Sequence, residues 1–465
     1  MRRAIRRIAA VSFGLIGVLI VWLTLQQVMA GSAYGDDPRN QRVLLDQGDP
    51  RRGTITTADG VVLAEDRDGT RIYPEGSSYL HLAGYVAGED SAGIESTRAA
   101  DLRPLDDGSI TSWLITLFGG SVAPPEVRLT VVDRIQSVAI EALRGRTGAV
   151  VALDPATGAI LAYAVSPSQD PNELVSSDVA MNEYLAAAAS VDRVAFRLLP
   201  SGSTFKTLVA AAALEQGMSP DTVFEDVAEY LPPGAGQPIT NVTGSTCSGG
   251  GEITLREALA VSCNTVFAAL AVELGGVVIN DIAESAGFNA VLPFELGSAV
   301  SSIPTAEDLD SDPGALAQTG LGERDVRVTP LQMAVITAAF GNGGQMMRPY
   351  LVDAVLTHDG TTLERTGSES LGRLIDPATA TDLVSMMIYV VTDGTGRAAT
   401  QPGIEVAGKT GTAEGAGGPH SWFLALAPAK APTIAIGVVI EAEGTGGTVA
   451  APIAAQVLEA WFESS

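Results

Sequence analysis

The strand-like runs of residues 127–465 sit at the two ends of that stretch, and a helical middle keeps them apart. Gly148–Leu153 and Ala159–Tyr163 are short and apolar, joined by the turn Asp154-Pro155-Ala156-Thr157-Gly158. Ile404–Thr412, Trp422–Ala427 and Thr433–Glu441 come only after the mainly helical Ser203–Phe340, and a last helix covers about Val449–Phe462. Runs so distant in the chain bury their apolar residues by assembling into one antiparallel sheet with helices packed against it, an α+β arrangement. Val131–Leu143 reads as another helix, with Ile135, Val138, Ala139 and Ala142 on one face.

Within that frame, Leu199-Pro200-Ser201-Gly202-Ser203-Thr204-Phe205-Lys206 leads into an apolar run that stops at Gly217. Pro and Gly before the run, and Gly just past it, place Ser203 at a helix N-terminus. Lys206 is then one turn on, on the same face. A hydroxyl, an amine that can lose its proton and free N–H groups at a helix end can form a nucleophile site without histidine. Composition sharpens this point: the chain has three lysines, Lys206, Lys409 and Lys430, against twenty-five arginines. Arg supplies charge anywhere, but only Lys can titrate and serve as a base. Ser-x-x-Lys alone is a common pattern, so its meaning depends on the remaining clusters.

Two such clusters follow. Thr254-Leu255-Arg256-Glu257 is a capping box that opens a helix to about Ala260, and Thr265–Leu274 forms another helix, ended by Gly275-Gly276. Ser262-Cys263-Asn264 occupies the turn between them, where short polar side chains can be aimed into a cleft or merely cap a helix. Lys409-Thr410-Gly411-Thr412 closes a strand-like run. Gly403–Thr410 also satisfies the phosphate-loop pattern G-x-x-x-x-G-K-[ST]. The residues between its glycines alternate as in a strand, however, and the Gly-rich segment after Thr412 cannot sustain the helix that motif needs. Nucleotide binding is therefore not expected.

The net charge of −26 argues against nucleic-acid binding, and two Cys with three His show no metal-ligand spacing. No metal or cofactor is expected. Residues 1–30 reverse the acidic balance: Arg2, Arg3, Arg6 and Arg7 precede an uncharged apolar run from Ile8 to about Leu25. Roughly 20 such residues suffice to span a bilayer. The arginines would stay cytoplasmic, leaving the rest of the chain outside the plasma membrane as a single-pass anchored protein. The competing reading is a signal peptide cleaved near Met29-Ala30-Gly31-Ser32-Ala33. An extracytoplasmic body permits a disulfide between Cys247 and Cys263, sixteen apart, although two unrelated buried thiols fit the sequence as well. Residues 31–126 read as a small strand-rich module, with a hairpin over Arg52–Ala64 turning at Asp59-Gly60. Trp113–Phe118 is either core or a partner-facing surface, and Ala123-Pro124-Pro125 marks a boundary before the region 127–465.

Together, Ser203-x-x-Lys206, Ser262-x-Asn264 and Lys409-Thr410-Gly411 form the set shared by penicillin-binding proteins and class A β-lactamases. The surrounding residues extend the likeness. Gly148–Pro155, Val328-Thr329-Pro330-Leu331-Gln332-Met333-Ala334, Gly394-Thr395-Gly396 and His420-Ser421-Trp422-Phe423 resemble class B penicillin-binding proteins, as do Asn40-Gln41-Arg42, Arg52-Gly53 and Gly93-Ile94-Glu95-Ser96 upstream. The chain is most similar to the compact penicillin-binding protein A type. It departs from the family at Ser201, where a second Pro is usual, and in its abbreviated membrane-proximal region.

The resemblance implies a serine β-lactamase-like transpeptidase fold and a D,D-transpeptidase that cross-links peptidoglycan and binds β-lactams covalently. Ser203 would attack the penultimate D-Ala of a stem peptide ending in D-Ala-D-Ala, with Lys206 as proton acceptor. Ser262 would pass a proton to the leaving amine, and Asn264 would hold the substrate amide or Lys206. Lys409, Thr410, Gly411 and Thr412 would bind the terminal carboxylate, and the N–H groups of Ser203 and Thr412 would form the oxyanion hole. A membrane glycan polymerase is the expected partner, since only about 100 residues separate anchor and catalytic region. The alternatives are a D,D-carboxypeptidase, a β-lactamase and a non-catalytic β-lactam sensor or scaffold. A β-lactamase needs a carboxylate to activate the deacylating water, and spacing singles out no Glu for it.

Overall fold

The structure, a computed structural model, describes residues 3, 6, 7, 12–19, 22, 52–88, 90–104 and 123–463. Most of the expected anchor and cleavage segment, Asn40-Gln41-Arg42, and Trp113–Phe118 lie outside the described residues. The chain divides into two compact units, residues 1–51 with 66–70, and residues 52–65 with 71–465. In the first unit, residues 12–19 are helical, and Phe13, Leu15, Ile16, Val18 and Leu19 are exposed.

In the second unit, the strands that matter are β1 (Ile55–Thr56), β2 (Val62–Arg67), β3 (Glu126–Leu129), β4 (Gly148–Leu153), β5 (Ile160–Ser166), β6 (Val352–Leu356), β7 (Thr362–Arg365), β8 (Ala407–Ala413), β9 (His420–Ala427) and β10 (Ile434–Ile440). The helices are α1 (Asp133–Ala142), α2 (Lys206–Glu215), α3 (Leu255–Ala260), α4 (Asn264–Ser285), α5 (Pro330–Gly341), α6 (Pro377–Thr392) and α7 (Ala451–Phe462).

The central sheet runs β8-β9-β10-β4-β5, with every neighbouring pair antiparallel. Period-2 alternation sends successive residues to opposite faces. Val150 and Ala152 pack with Ile135 and Ala139 of α1 and Val457 and Leu458 of α7, whereas Ala149, Val151 and Leu153 face the core that holds α2, α4 and α5. Both faces are covered, which is why these strands read as unbroken apolar runs instead of alternating ones. The packing is close: a Cβ at Gly437 of β10 would stand 3.3 Å from the Ala334 Cβ of α5.

A second sheet includes the order β7-β6-β3-β1-β2. The hairpin of β1 and β2 turns at Asp59-Gly60 as the Asp-Gly pair predicts, with Gly60 at φ +88°. β3 lies parallel to β1 and antiparallel to β6, so strands from either side of residue 126 share one sheet, and Ile55 and Leu63 share a core with Leu208. Non-local pairing of this kind leaves no mark in a local pattern, and the Pro124-Pro125 segment leads straight into β3 instead of a free linker.

Among the described residues, α4 is the helix long and apolar enough to cross a membrane, and 56% of its most apolar window is buried within the fold. Gly275 interrupts it at φ +85°, close to the Gly275-Gly276 stop read from sequence. α4 is thus a core element made of two helical pieces.

Candidate active site

Ser203 lies in a short 3₁₀ turn, Gly202–Thr204, immediately ahead of α2. The turn is wedged against β8. Gly202 has φ +51°, and a Cβ there would come within 2.5 Å of the Thr412 carbonyl oxygen, so both backbone angle and space call for Gly. From the neighbouring strand, Trp422 Nε1 donates to the Pro200 carbonyl at 3.0 Å and fixes the entry to the turn. Ser203 is half-buried, and no hydrogen bond joins its hydroxyl to Lys206 among the described residues. Catalytic contacts of this kind commonly tighten only when substrate binds.

Residues Lys206–Leu214 of α2 are all buried, so the helix is apolar on every side and carries Lys206 inward, with Glu215 exposed at its far end. Lys206 Nζ donates to the Ser262 carbonyl at 2.7 Å and to Asn264 Oδ1 at 2.7 Å, and lies 3.3 Å from Ser262 Oγ. Its pKa falls well below the ordinary lysine value, first because of burial and then because Lys409 stands nearby. The Phe267 ring is 5.6 Å from Nζ and can stabilise a cation there.

Ser262 and Cys263 form the turn between α3 and α4, as read from sequence. Ser262 sits at φ +60°, a left-handed conformation uncommon for a residue with a Cβ. That conformation aims Oγ between the two amines: Lys409 Nζ reaches it at 3.0 Å from the β8 side and also donates to the Thr410 carbonyl at 2.8 Å. β8 is the edge of the sheet, so alternate N–H groups of Lys409-Thr410-Gly411-Thr412 point away from β9. Lys409 has no exposed surface, and burial lowers its amine to about 7. Thr410 Oγ1 pairs with Thr395 Oγ1 at 2.6 Å, and Gly446 N donates to Thr412 Oγ1 at 3.3 Å. A Cβ at Gly411 would stand 2.8 Å from the Thr204 Cγ2, a second measure of how tightly strand and nucleophile turn meet.

Cys247 and Cys263 are joined in a disulfide. Asp226 lies close to both sulfurs, but its carboxylate accepts from Cys247 N and Ser248 N at 2.7 Å each and from Gly250 N at 3.0 Å. It holds the loop that carries Cys247 and has no thiolate beside it to share a metal.

Two side chains that sequence reasoning passed over also belong here. The N-cap of α4, Cys263, makes no side-chain cap bond. Asn241 supplies the missing acceptor from another part of the chain: its Oδ1 takes Asn264 N at 2.9 Å and Thr265 N at 3.0 Å, while its Nδ2 donates to Val227 O and Ser245 O. Asn264 Nδ2 in turn donates to Thr240 O at 3.0 Å, which orients Oδ1 toward Lys206. The second is Glu323, half-buried directly after Gly322, whose carbonyl accepts from Gly202 N at 2.9 Å; burial raises the Glu323 carboxyl to about 7.

The arrangement is that of a serine acyltransferase: a hydroxyl at a helix start, an edge strand to receive a peptide, and two amines that burial makes available in neutral form. Residues 148–459 match the family described as penicillin binding protein transpeptidase domain. The chain is 35% identical to the peptidoglycan D,D-transpeptidase PbpA of Mycolicibacterium smegmatis, over 97% of each chain. Its fold superposes with a TM-score of 0.83 on penicillin-binding protein A of M. tuberculosis, solved as a ceftriaxone acyl-enzyme, at 32% identity over 90% of this chain and 99% of that one. A D,D-transpeptidase domain from Eggerthella lenta gives 0.80 at 36% identity, over 89% and 98%. The chain belongs to the penicillin-binding protein family, as a class B member of the PbpA type.

Proposed function

We propose that this chain cross-links peptidoglycan as a D,D-transpeptidase by way of an acyl-enzyme on Ser203, the same residue that β-lactams acylate. The observation that carries the reading is the convergence of two fully buried lysines, Lys206 and Lys409, on the single hydroxyl of Ser262 beside the edge strand β8.

The roles follow from donor counting. A neutral amine has two N–H groups and one lone pair. Ser262 O and Asn264 Oδ1 can only accept, so they use both N–H groups of Lys206 and leave its lone pair for the proton of Ser203. Ser203 Oγ bonds to the carbonyl carbon of the penultimate D-Ala while its proton moves to Lys206. The N–H groups of Ser203 and Thr412 stabilise the oxyanion, each contributing about 3 kcal/mol. The C–N bond to the terminal D-Ala then breaks as Ser262 hands its proton to the departing nitrogen and takes one back from the Lys206 ammonium, which leaves both groups neutral. An amine of a neighbouring stem peptide attacks the ester, releases the cross-linked product and restores the Ser203 hydroxyl. Lys409, Thr410, Gly411 and Thr412 bind the terminal carboxylate along β8.

The basic tip and apolar run of residues 1–30 anchor the chain in the plasma membrane with the catalytic region outside, where a membrane glycan polymerase supplies the strands to be joined. Labelling with a fluorescent penicillin tests the central assignment. Ser203→Ala abolishes the covalent adduct; an adduct that persists places the nucleophile elsewhere.

A further inference from the structure

Thr410 and Thr412 lie two apart on β8, so their side chains share one face of the strand. Each hydroxyl meets a polar group from a flanking segment. Gly446 N, in the turn that leads into α7, donates to Thr412 Oγ1 at 3.3 Å. Thr395 Oγ1, in the Gly394-Thr395-Gly396 segment after α6, lies 2.6 Å from Thr410 Oγ1. An N–H group can only donate, so Thr412 accepts and keeps its own proton for another partner. Between the two threonines either oxygen can donate, and the surroundings of Thr395 decide which one does. Its backbone N donates to the Ala260 carbonyl at 3.0 Å, and its hydroxyl reaches that same oxygen only at 3.3 Å. That carbonyl, at the end of α3 and two residues ahead of Ser262, already has a donor, so the shorter contact to Thr410 takes the hydroxyl proton. The segments are closely packed: a Cβ at Gly394 would collide with the Ala260 carbonyl, and one at Gly447 would stand 2.6 Å from the Thr395 carbonyl oxygen and 3.8 Å from Thr410 Cγ2.

We propose that Thr395 is a positioning residue for the carboxylate end of the site: its hydroxyl donates to Thr410 Oγ1 and so turns the Thr410 proton toward a bound carboxylate. This rests on the reading of Thr410 and Thr412 as groups that hold the terminal carboxylate of the stem peptide. Once Thr410 Oγ1 receives a proton from Thr395, its own O–H has no acceptor among the described residues and is left for the ligand. In the opposite arrangement Thr410 donates to Thr395, and Thr395 to Ala260 O. Thr410 then turns only lone pairs outward, and these repel a carboxylate. Thr410 and Thr412 thus become a matched pair, each accepting from the protein on one side and donating to the ligand on the other. Two outward O–H groups suit a carboxylate, which accepts at both oxygens, better than an amide, whose nitrogen can only donate.

Val keeps the shape of Thr395 and removes the hydroxyl, at a residue exposed enough that little packing depends on it. The assay is stopped-flow acylation of the full-length chain by a fluorescent penicillin, whose own carboxylate takes the place of the terminal one. Thr395→Val raises the half-saturation concentration roughly three- to tenfold and leaves the limiting rate within about twofold, because the pair acts on carboxylate binding and not on the Ser203 proton. Thr395→Ser restores the parent value within about twofold. Thr395→Ala removes the hydroxyl without a branched replacement, gives the same shift as Val, and serves if the Val variant folds poorly. In a double-mutant cycle, Thr395→Val adds less than about twofold to the effect of Thr410→Val, since Thr395 acts through Thr410. Additive losses overturn the proposal, as does a lowered limiting rate with unchanged half-saturation, which would make Thr395 only a tie to Ala260. A shift for Thr410→Val with none for Thr395→Val overturns the role of Thr395 alone. No shift for Thr410→Val removes the carboxylate assignment and this proposal with it, while the Ser203→Ala adduct test stands apart from both.

Discussion

Replacing Lys409 with Met should make the protein more stable while destroying its activity. Lys409 has no exposed surface, and burial alone takes its amine from the ordinary 10.5 to about 7. Each unit of displacement corresponds to about 1.4 kcal/mol, so the buried amine costs the fold on the order of 5 kcal/mol at pH 7 and below. Its bonds to Ser262 Oγ and Thr410 O return about 1 kcal/mol each. Met fills a similar volume without charge and also removes the repulsion on Lys206, for a net gain of about 1–3 kcal/mol. The sign with pH is definite. A lysine whose folded value is depressed stabilises the folded state least below that value, and the deficit disappears as pH rises toward 10.5. The melting temperature of Lys409→Met should therefore exceed that of the parent by several degrees at pH 6–7, with the gap narrowing steadily toward pH 9–10. Acylation by a fluorescent penicillin should fall at least a hundredfold. A variant that melts below the parent at pH 6, or a gap that does not narrow with pH, refutes the argument that burial governs this amine.

Lys206→Arg keeps a cation but cannot release its proton in this range, so acylation should slow by about 10³-fold in the same assay; a loss under tenfold would remove Lys206 as the base. Asn241→Ala leaves the Asn264 and Thr265 N–H groups without their acceptor at the start of α4. It should cost about 1–3 kcal/mol in thermal or denaturant unfolding and slow acylation about tenfold, and an unchanged melting temperature would show that the cap is dispensable.

Much of the site was legible because its parts obey local rules. Ser203 and Lys206 are one turn apart, Thr254 and Glu257 form the capping box that opens α3 just ahead of Ser262, and the strand read over Ile404–Thr412 is present as Ala407–Ala413. The lysine count also carried weight: the third, Lys430, is an exposed surface partner of Glu405, leaving the other two for chemistry. Asn241 was invisible for the opposite reason. It caps a helix that begins 23 residues later, and no local pattern records a cap supplied across space. Glu323 was missed likewise, because its place beside the Gly202–Thr204 turn depends on the contact between Gly322 and Gly202. In the structure burial is the leading cause of the lowered Lys206 pKa, and the Lys409 charge follows.

That ordering of causes explains why the sheet must be assembled as it is. A lysine on an exposed helix start would stay protonated at neutral pH whatever serine stood beside it. In the structure the Lys206 amine sits at the start of α2, whose residues 206–214 are all buried in a core shared with Ala413 of β8, Trp422 of β9 and Val439 of β10, from the last quarter of the chain. β8 is the edge strand of that sheet, bonded to β9 on one side. Lys206 and Lys409 are fully buried there, while Ser203, Ser262, Asn264 and Thr412 are only half-buried at the boundary. On the proposed assignment, the hydroxyl that must meet the substrate is reachable while the amines that would activate it are shielded from water.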